Sequence, residues 1–232
     1  MRHLVHTALH SISKTKLNVM RFTNAISPDR VPFRKNILLI GFVSVFMILW
    51  ASTLIGTTDL GNWMLENTLV FIALGALTFT YRKMKFSDLT YLLLFVYLCL
   101  HVYGAKYTYA ENPLGYWLMD TFHLGRNHYD RIVHFSFGFL LAYPMRELFL
   151  VALKYPKWVA WLLPIEITLS VSALYELIEW AVAEVFFPAQ GMAYLGTQGD
   201  IWDAQKDIML AFTGAILATT IVSLIKKTWK IE

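Results

Sequence analysis

Apolar residues run along the chain in six long stretches, about 37–56, 63–81, 88–105, 130–150, 158–187 and 207–225, with polar and turn-forming residues gathered between them. Each is close to the ~20 residues that a helix rising ~1.5 Å per residue needs to cross a hydrocarbon core ~30 Å thick. Inside lipid every backbone N–H and C=O must be satisfied within its own segment, so apolar runs of this length predict helices. The pattern therefore predicts an all-α polytopic membrane bundle of about six transmembrane helices. The fifth stretch is long enough to tilt, or to kink near Pro164. No internal repeat, low-complexity tract or Gly/Ser linker interrupts the series, which makes residues 37–225 one six-helix transmembrane domain. A segment over 1–36 precedes it and a short tail over 226–232 follows.

Composition agrees: 57% of the residues are apolar and the mean hydropathy is +0.50, outside the range of a soluble domain. The formal net charge of +4 would elsewhere suggest an acidic partner, but its distribution assigns it to topology. Arg2, Lys14, Lys16, Arg21, Arg30, Arg34 and Lys35 precede the first stretch, Arg82, Lys83 and Lys85 follow the second, Arg146, Lys154 and Lys157 follow the fourth, and Lys226, Lys227 and Lys230 close the chain. The alternate loops hold only Lys106, Arg126, Arg131 and Lys206. Cytoplasmic loops carry the excess of Lys and Arg, so both termini are expected in the cytoplasm and the loops around 57–62, 104–129 and 188–206 outside. No nucleic-acid partner is implied; the expected partners are membrane lipids.

In the first 36 residues Leu4, Ala8, Ile12, Val19, Phe22 and Ile26 recur at helical spacing among Arg2, Lys14, Lys16 and Arg21, the pattern of a basic helix lying on an anionic leaflet. The same stretch, rich in Ser and without an acid before Asp29, also fits an organellar transit peptide. Cys99, the single cysteine, excludes an intrachain disulfide and reads as a small core hydrophobe.

Candidate chemistry comes from the polar residues that the apolar stretches retain. An ionisable side chain near the bilayer centre costs roughly 2.5–3.5 kcal/mol on insertion scales, so it faces the bundle interior and has a partner. His101, Asp130, His134, Glu176, Glu179, Asp203 and Asp207 all fall toward one side of the membrane, with Glu66, His123 and His128 on or beside it. Asp130 and His134 are four apart, Glu176 and Glu179 three apart, and Asp200, Asp203 and Asp207 stand at i, i+3 and i+7, so each set shares a helix face. Turned inward, these stripes make one acidic, His-containing cavity opening outside. Glu176 and Glu179 lie roughly 12–16 Å deep by helical rise, beyond the reach of their short side chains to water.

The five groups expected to carry chemistry are Asp130, His134, Glu176, Glu179 and Asp207. His101, Glu111, His123, Arg126, His128, Arg131, Asp200 and Asp203 are the candidate substrate-binding residues. The set suits a divalent metal such as Zn, Mg or Mn, or acid/base work without one; a structural polar network is the third reading. Over 103–129, Tyr103, Tyr107, Tyr109, Tyr116, Trp117 and Phe122 with Pro113 and three glycines suggest an interfacial or re-entrant lid, which Gly191, Gly196 and Gly199 of the next outer loop would help close. Arg146, Glu147 and Glu166 are expected apart from the site, in an ion pair joining two helices.

Through YTYAENPLG at 107–115, NHYDRIVHF at 127–135 and TQGDIWDAQKD at 197–207 the chain resembles the YjdF family of bacterial inner-membrane proteins, over roughly residues 37–225. The resemblance implies a multi-pass protein of the bacterial inner membrane and brings no activity with it. The chain is also similar to VanZ-like membrane proteins, linked to teicoplanin resistance, whose pattern is Asp-x-x-x-His, then Glu-x-x-Gln, then an Asp seven residues before Gly-Ala. Asp130 and His134, Glu176, and Asp207 before Gly214 and Ala215 match it; Glu179 stands for the Gln and Ala211 for an Asn. Three functions are compatible with these residues: an enzyme acting on an envelope lipid or lipid-linked precursor, a proton-coupled small-solute transporter, and a non-catalytic scaffold.

Overall fold

The computed structural model describes residues 32–186 and 196–229, which fold into seven α-helices with no strand among them. They are α1 (Ile37–Thr53), α2 (Leu60–Lys83), α3 (Asp88–Lys106), α4 (Pro113–Phe122), α5 (Tyr129–Glu147), α6 (Val159–Ala181) and α7 (Asp203–Trp229). A π turn extends α5 over Leu148–Ala152 and another extends α6 over Val182–Phe186. Five helices are long and apolar enough to cross a membrane: α2, α3, α5 and α6 with their π turns, and α7 to Ile225. The first expected span stops at Thr53, and its 17 residues rise ~25 Å, shorter than its neighbours. Residues 1–31 of the expected amphipathic segment over 1–36, and the turn around Gly191, lie outside the described residues.

Helix starts follow local chemistry. Asn36, Asp59 and Ser87 cap α1, α2 and α3 through side-chain oxygens that accept from the N–H of Leu39, Asn62 and Thr90. The stretch expected to form an interfacial or re-entrant lid contains a regular helix, α4. Pro113 occupies the first helical turn, where its missing N–H costs nothing, and the Asn112 side chain accepts from Leu114 and Gly115 N–H. The helix ends at His123 in the left-handed region, φ 54°. Tyr116, Trp117 and Phe122 on α4 are exposed, as are Tyr155, Trp158 and Trp161 at the opposite end, giving an aromatic belt at each membrane level.

Only 22–44% of each span is buried in the bundle, so most apolar surface points outward, as lipid requires. Hydroxyls on that surface are satisfied locally: Thr68, Thr78, Thr80 and Thr213 each donate to the carbonyl four residues earlier. Cys99 packs against the cluster of Phe46, Val70, Leu98 and Val102, as expected of a core hydrophobe.

The centre is α5, which packs on α3, α6 and α7, while α1 and α2 lie against α3 on the far side. Its contact with α7 is the closest. A Cβ on Gly138 would overlap the Ala211 carbonyl, and one on Gly214 would crowd the Phe135 carbonyl; fully buried Ala211 and Ala215 continue the seam. At the Lys/Arg-rich end, Glu147 accepts from Ser87 N–H at 2.8 Å, Ser87 Oγ at 2.7 Å and Thr90 Oγ1, joining α5 to the start of α3. These bonds lock two helices, as expected of Glu147, through the first turn of α3; Glu166 stands exposed on α6.

The glycine seam makes a direct prediction. Gly138→Ala should lower the unfolding free energy in detergent by about 1–3 kcal/mol, the usual cost of overpacking. Gly75→Ala, whose Cβ would meet nothing within 4 Å, should leave the thermal midpoint unchanged or raise it. Equal behaviour of the two variants in a thermal melt would contradict the close crossing.

Candidate functional site

Three helices bring their polar stripes together at the end opposite Glu147. His134 on α5 places Nε2 3.5 Å from Asp130 Oδ1 on its own helix and 3.5 Å from Glu176 Oε1 on α6. One ligand atom each from Asp130, His134 and Asp207 lie within 4.8 Å of one another. Asp207 is 2% exposed, and neither its Oδ1 nor Glu176 Oε1 has a hydrogen-bond partner. The expectation that stripes on α5, α6 and α7 face one another is met for these four groups; Glu179 lines the same cavity.

Two cavities meet here. The acidic one, about 440 Å³, is bounded by Asp130, Glu176, Glu179, Asp200, Asp203 and Asp207 among others. The second, about 220 Å³, has an apolar lining that includes Leu69, Val133, Phe137 and Val171, with Asp130 and His134 at its polar edge. Asp130 belongs to both. Leu69 and Val171 are also 40% and 44% exposed, so the apolar cavity reaches the flank of the bundle between α2 and α6. Those helices hardly touch; Tyr175 Oη donates across the gap to Glu66 Oε2 at 3.0 Å.

Glu66 and Tyr175 are site residues that helical spacing did not select. Glu66 is 4% exposed and sits at the depth of the other acids, but alone on α2, with no second acid three or four residues away to mark a stripe. His101 is held behind it. Its Nε2 donates to the Glu66 carbonyl at 3.1 Å, which leaves Nδ1 to accept from Tyr109 Oη at 2.6 Å. This polar triplet supports the wall of the apolar cavity, so His101 is placed beside the site as expected.

The remaining charges form a clasp at the mouth. Arg126 binds Asp203 with both terminal nitrogens, at 2.5 and 3.1 Å, and donates to the carbonyls of Thr197 and Gly196. Arg131 binds Asp200 at 2.5 Å and Asp203 at 3.0 Å, with His128 Nδ1 accepting from it at 3.2 Å. Burial and the two nearby guanidiniums hold His128 below its ordinary pKa, so it accepts as a neutral ring. Lys206 completes the group at 2.6 Å from Asp200. Gln198 and Asn127 bond reciprocally through side chain and backbone, fixing the turn over 196–200 onto the start of α5. Arg126, Arg131, Asp200 and Asp203 thus engage one another, whereas Glu111 and His123 stand exposed on either side of α4.

Two outcomes follow from the clasp. Breaking a buried ion pair from one side strands the partner, at about 3–5 kcal/mol, so Arg126→Met should lower stability by that order and speed amide exchange across 196–202. The hydrogen bond from Lys206, then the Trp202 N–H and Arg131, hold Asp200 below its ordinary value of 3.8. A depressed folded pKa gives stability that is complete above the unfolded value and lost only as pH falls toward the folded one. Lys206→Met should therefore shift the acid unfolding midpoint upward, measured by fluorescence during acid titration.

Comparison with known proteins matches residues 38–228 to a family described as predicted membrane protein, DUF2238. The Inner membrane protein YjdF of Escherichia coli (strain K12) is 37% identical over 173 residues, covering 73% of this chain and 80% of the relative. No solved structure matches. With its apolar helices and this relationship, the chain belongs to the DUF2238 family and is a multi-pass protein of the inner membrane.

Proposed function

We propose that the protein is a membrane-embedded enzyme acting on an envelope lipid or lipid-linked precursor, with its acidic end facing away from the cytoplasm. The carrying observation is that Asp130 lines both the apolar cavity and the acidic one. An amphiphile entering sideways between α2 and α6 would lay its chain along Leu69, Phe137 and Val171. Its polar head would lie against Glu176, Glu179 and Asp207, with the bond between chain and head beside Asp130 and His134. Those two groups act on that bond, as general acid and base or as ligands of a cation that polarises it, while the clasp of Arg126, Arg131, Asp200 and Asp203 shapes the mouth. The distribution of Lys and Arg supports the orientation.

Transport is the second reading, favoured by Thr168 and Ser172, whose buried hydroxyls have no hydrogen-bond partner and continue the face of Glu176 along α6 at intervals of four. Below them the line ends on the apolar cluster of Ala142, Ile165, Ala215 and Ala218, which ranks it behind catalysis.

The test separates binding from chemistry. Protein in nanodiscs of inner-membrane lipid extract should retain co-purifying lipid in native mass spectra. Val171→Trp, which fills the flank opening, should lose it; Asp130→Asn should keep it. Lipid extract incubated with wild type should yield a product whose formation falls about 100-fold or more in Asp130→Asn, the scale of a general acid/base contribution. Identical lipid profiles for wild type and Asp130→Asn would sink the enzyme reading, and pH-dependent solute uptake into proteoliposomes that vanishes in Glu179→Gln would install the transporter.

A further inference from the structure

We infer that Asp130, His134, Glu176 and Asp207 form a binding site for one divalent cation of the zinc and manganese class, held where the two cavities meet. The inference names a cofactor for the site assigned above and rests on that reading for the ion's role; its occupancy is a separate question.

The distances argue first. His134 Nε2 stands 3.5 Å from carboxylate oxygens of both Asp130 and Glu176, longer than the roughly 2.7–3.2 Å of a good N–H···O hydrogen bond. Four ligands at about 2.1 Å around a tetrahedral ion lie about 3.4 Å from one another. The two separations from His134 match that spacing, which places Glu176 in the set through His134. With Asp207 included, one donor atom from each of Asp130, His134 and Asp207 fits within 4.8 Å.

Unsatisfied atoms argue second. Asp207 is 2% exposed, and its Oδ1 accepts no hydrogen bond. Glu176 Oε1, on a side chain 10% exposed, is in the same condition. A positive group beside a buried carboxylate oxygen that has no donor would offset its burial. The nearest to Asp207 is Arg131, whose Nε is 4.0 Å away and itself lacks a hydrogen bond, because that guanidinium is turned to Asp200 and Asp203. Arg126 and Lys206 are likewise engaged at the mouth.

The donor set argues third. One imidazole nitrogen with carboxylate oxygens suits zinc or manganese, whereas calcium takes six to eight oxygens and magnesium few protein ligands. All four donors project from α5, α6 and α7, and the glycine seam fixes two of those helices against each other, so the set is pre-arranged. A cation here would counter the charge of a lipid phosphate or polarise its oxygen.

The experiment uses the full chain in detergent, stripped with chelator and desalted. Titration with Zn2+ by calorimetry and with Mn2+ by electron paramagnetic resonance should give saturable uptake of about one ion per chain, with a rise in thermal midpoint that chelator reverses. Asp207→Asn and His134→Gln should each weaken affinity by about 100-fold or more, since even outer-shell changes cost 10–100-fold; Glu166→Gln, remote and exposed, should bind as wild type. Wild type decides occupancy even if a variant fails to fold. No saturable uptake by wild type of either ion, or undiminished uptake by folded Asp207→Asn, overturns the site. Lipid retention that still depends on Val171 would then leave the enzyme reading standing, while metal binding without lipid retention would remove that reading and keep the site.

Discussion

The close crossing of α5 and α7 is the contact on which the rest of the molecule depends. Two helices that each carry acids into a bilayer can settle those acids only against each other, and only if their backbones approach closely. Gly138 lies four residues past His134, and Gly214 seven past Asp207, so on each helix the face that brings an acid or imidazole also brings a glycine. The approach at Gly138 and Gly214 holds Asp207 within ligand distance of Asp130 and His134. Larger residues in the seam would hold the stripes apart and leave each one exposed to a medium that cannot solvate it.

Charge is then handled in two tiers. Near the membrane surface, Arg126, Arg131 and Lys206 meet Asp200 and Asp203 in bonds of 2.5–3.1 Å, and this clasp ties the turn over 196–200 to the start of α5. Guanidinium suits the place because its planar fork pairs with a carboxylate through two nitrogens, as Arg126 does with Asp203. Deeper, Glu66, Asp130, Glu176, Glu179 and Asp207 are served by the His134 imidazole, the Tyr175 hydroxyl and a distant guanidinium edge. A protein that only needed stability would replace such a group with apolar side chains at little cost. The acids kept at this depth are the basis of the function proposed above.

Much of this was legible from residue spacing. Apolar runs marked the long helices because lipid forces backbone groups to pair within a segment, and the i, i+3, i+4 and i+7 acids marked the inward faces of α5, α6 and α7. Spacing fixes a face on its own helix and says nothing of which neighbour it meets, so the pairing of Arg126 and Arg131 with Asp203 and Asp200, 69 to 77 residues away, was not readable. Glu66 was readable only as an acid on that side of the membrane; its bond to Tyr175, which ties α2 to the site, was not. Pro113 was read as a breaker because proline disrupts helix interiors; in the first turn, behind the Asn112 cap, it starts α4. Charge alone marked Glu147 as a helix-joining group, and spacing could not show that the N–H and hydroxyls at the start of α3 would also bond to it.

The shape of the polar interior is the reason for proposing catalysis ahead of transport. A conduit needs polar or small-volume continuity from one end to the other, and the hydroxyls of Ser172 and Thr168 extend the acidic cavity only until Ile165, Ala142, Ala215 and Ala218 close together. Those alanines belong to the seam that fixes α5 on α7, so opening a path there would separate the helices that assemble the acids. The cavity's other continuation is sideways, through the apolar space that Asp130 shares and that reaches the flank beside Leu69 and Val171. An interior closed below, open to the acidic end and open to lipid is what underlies the proposal that a molecule half polar and half hydrocarbon reaches Asp130 and His134 from within the bilayer.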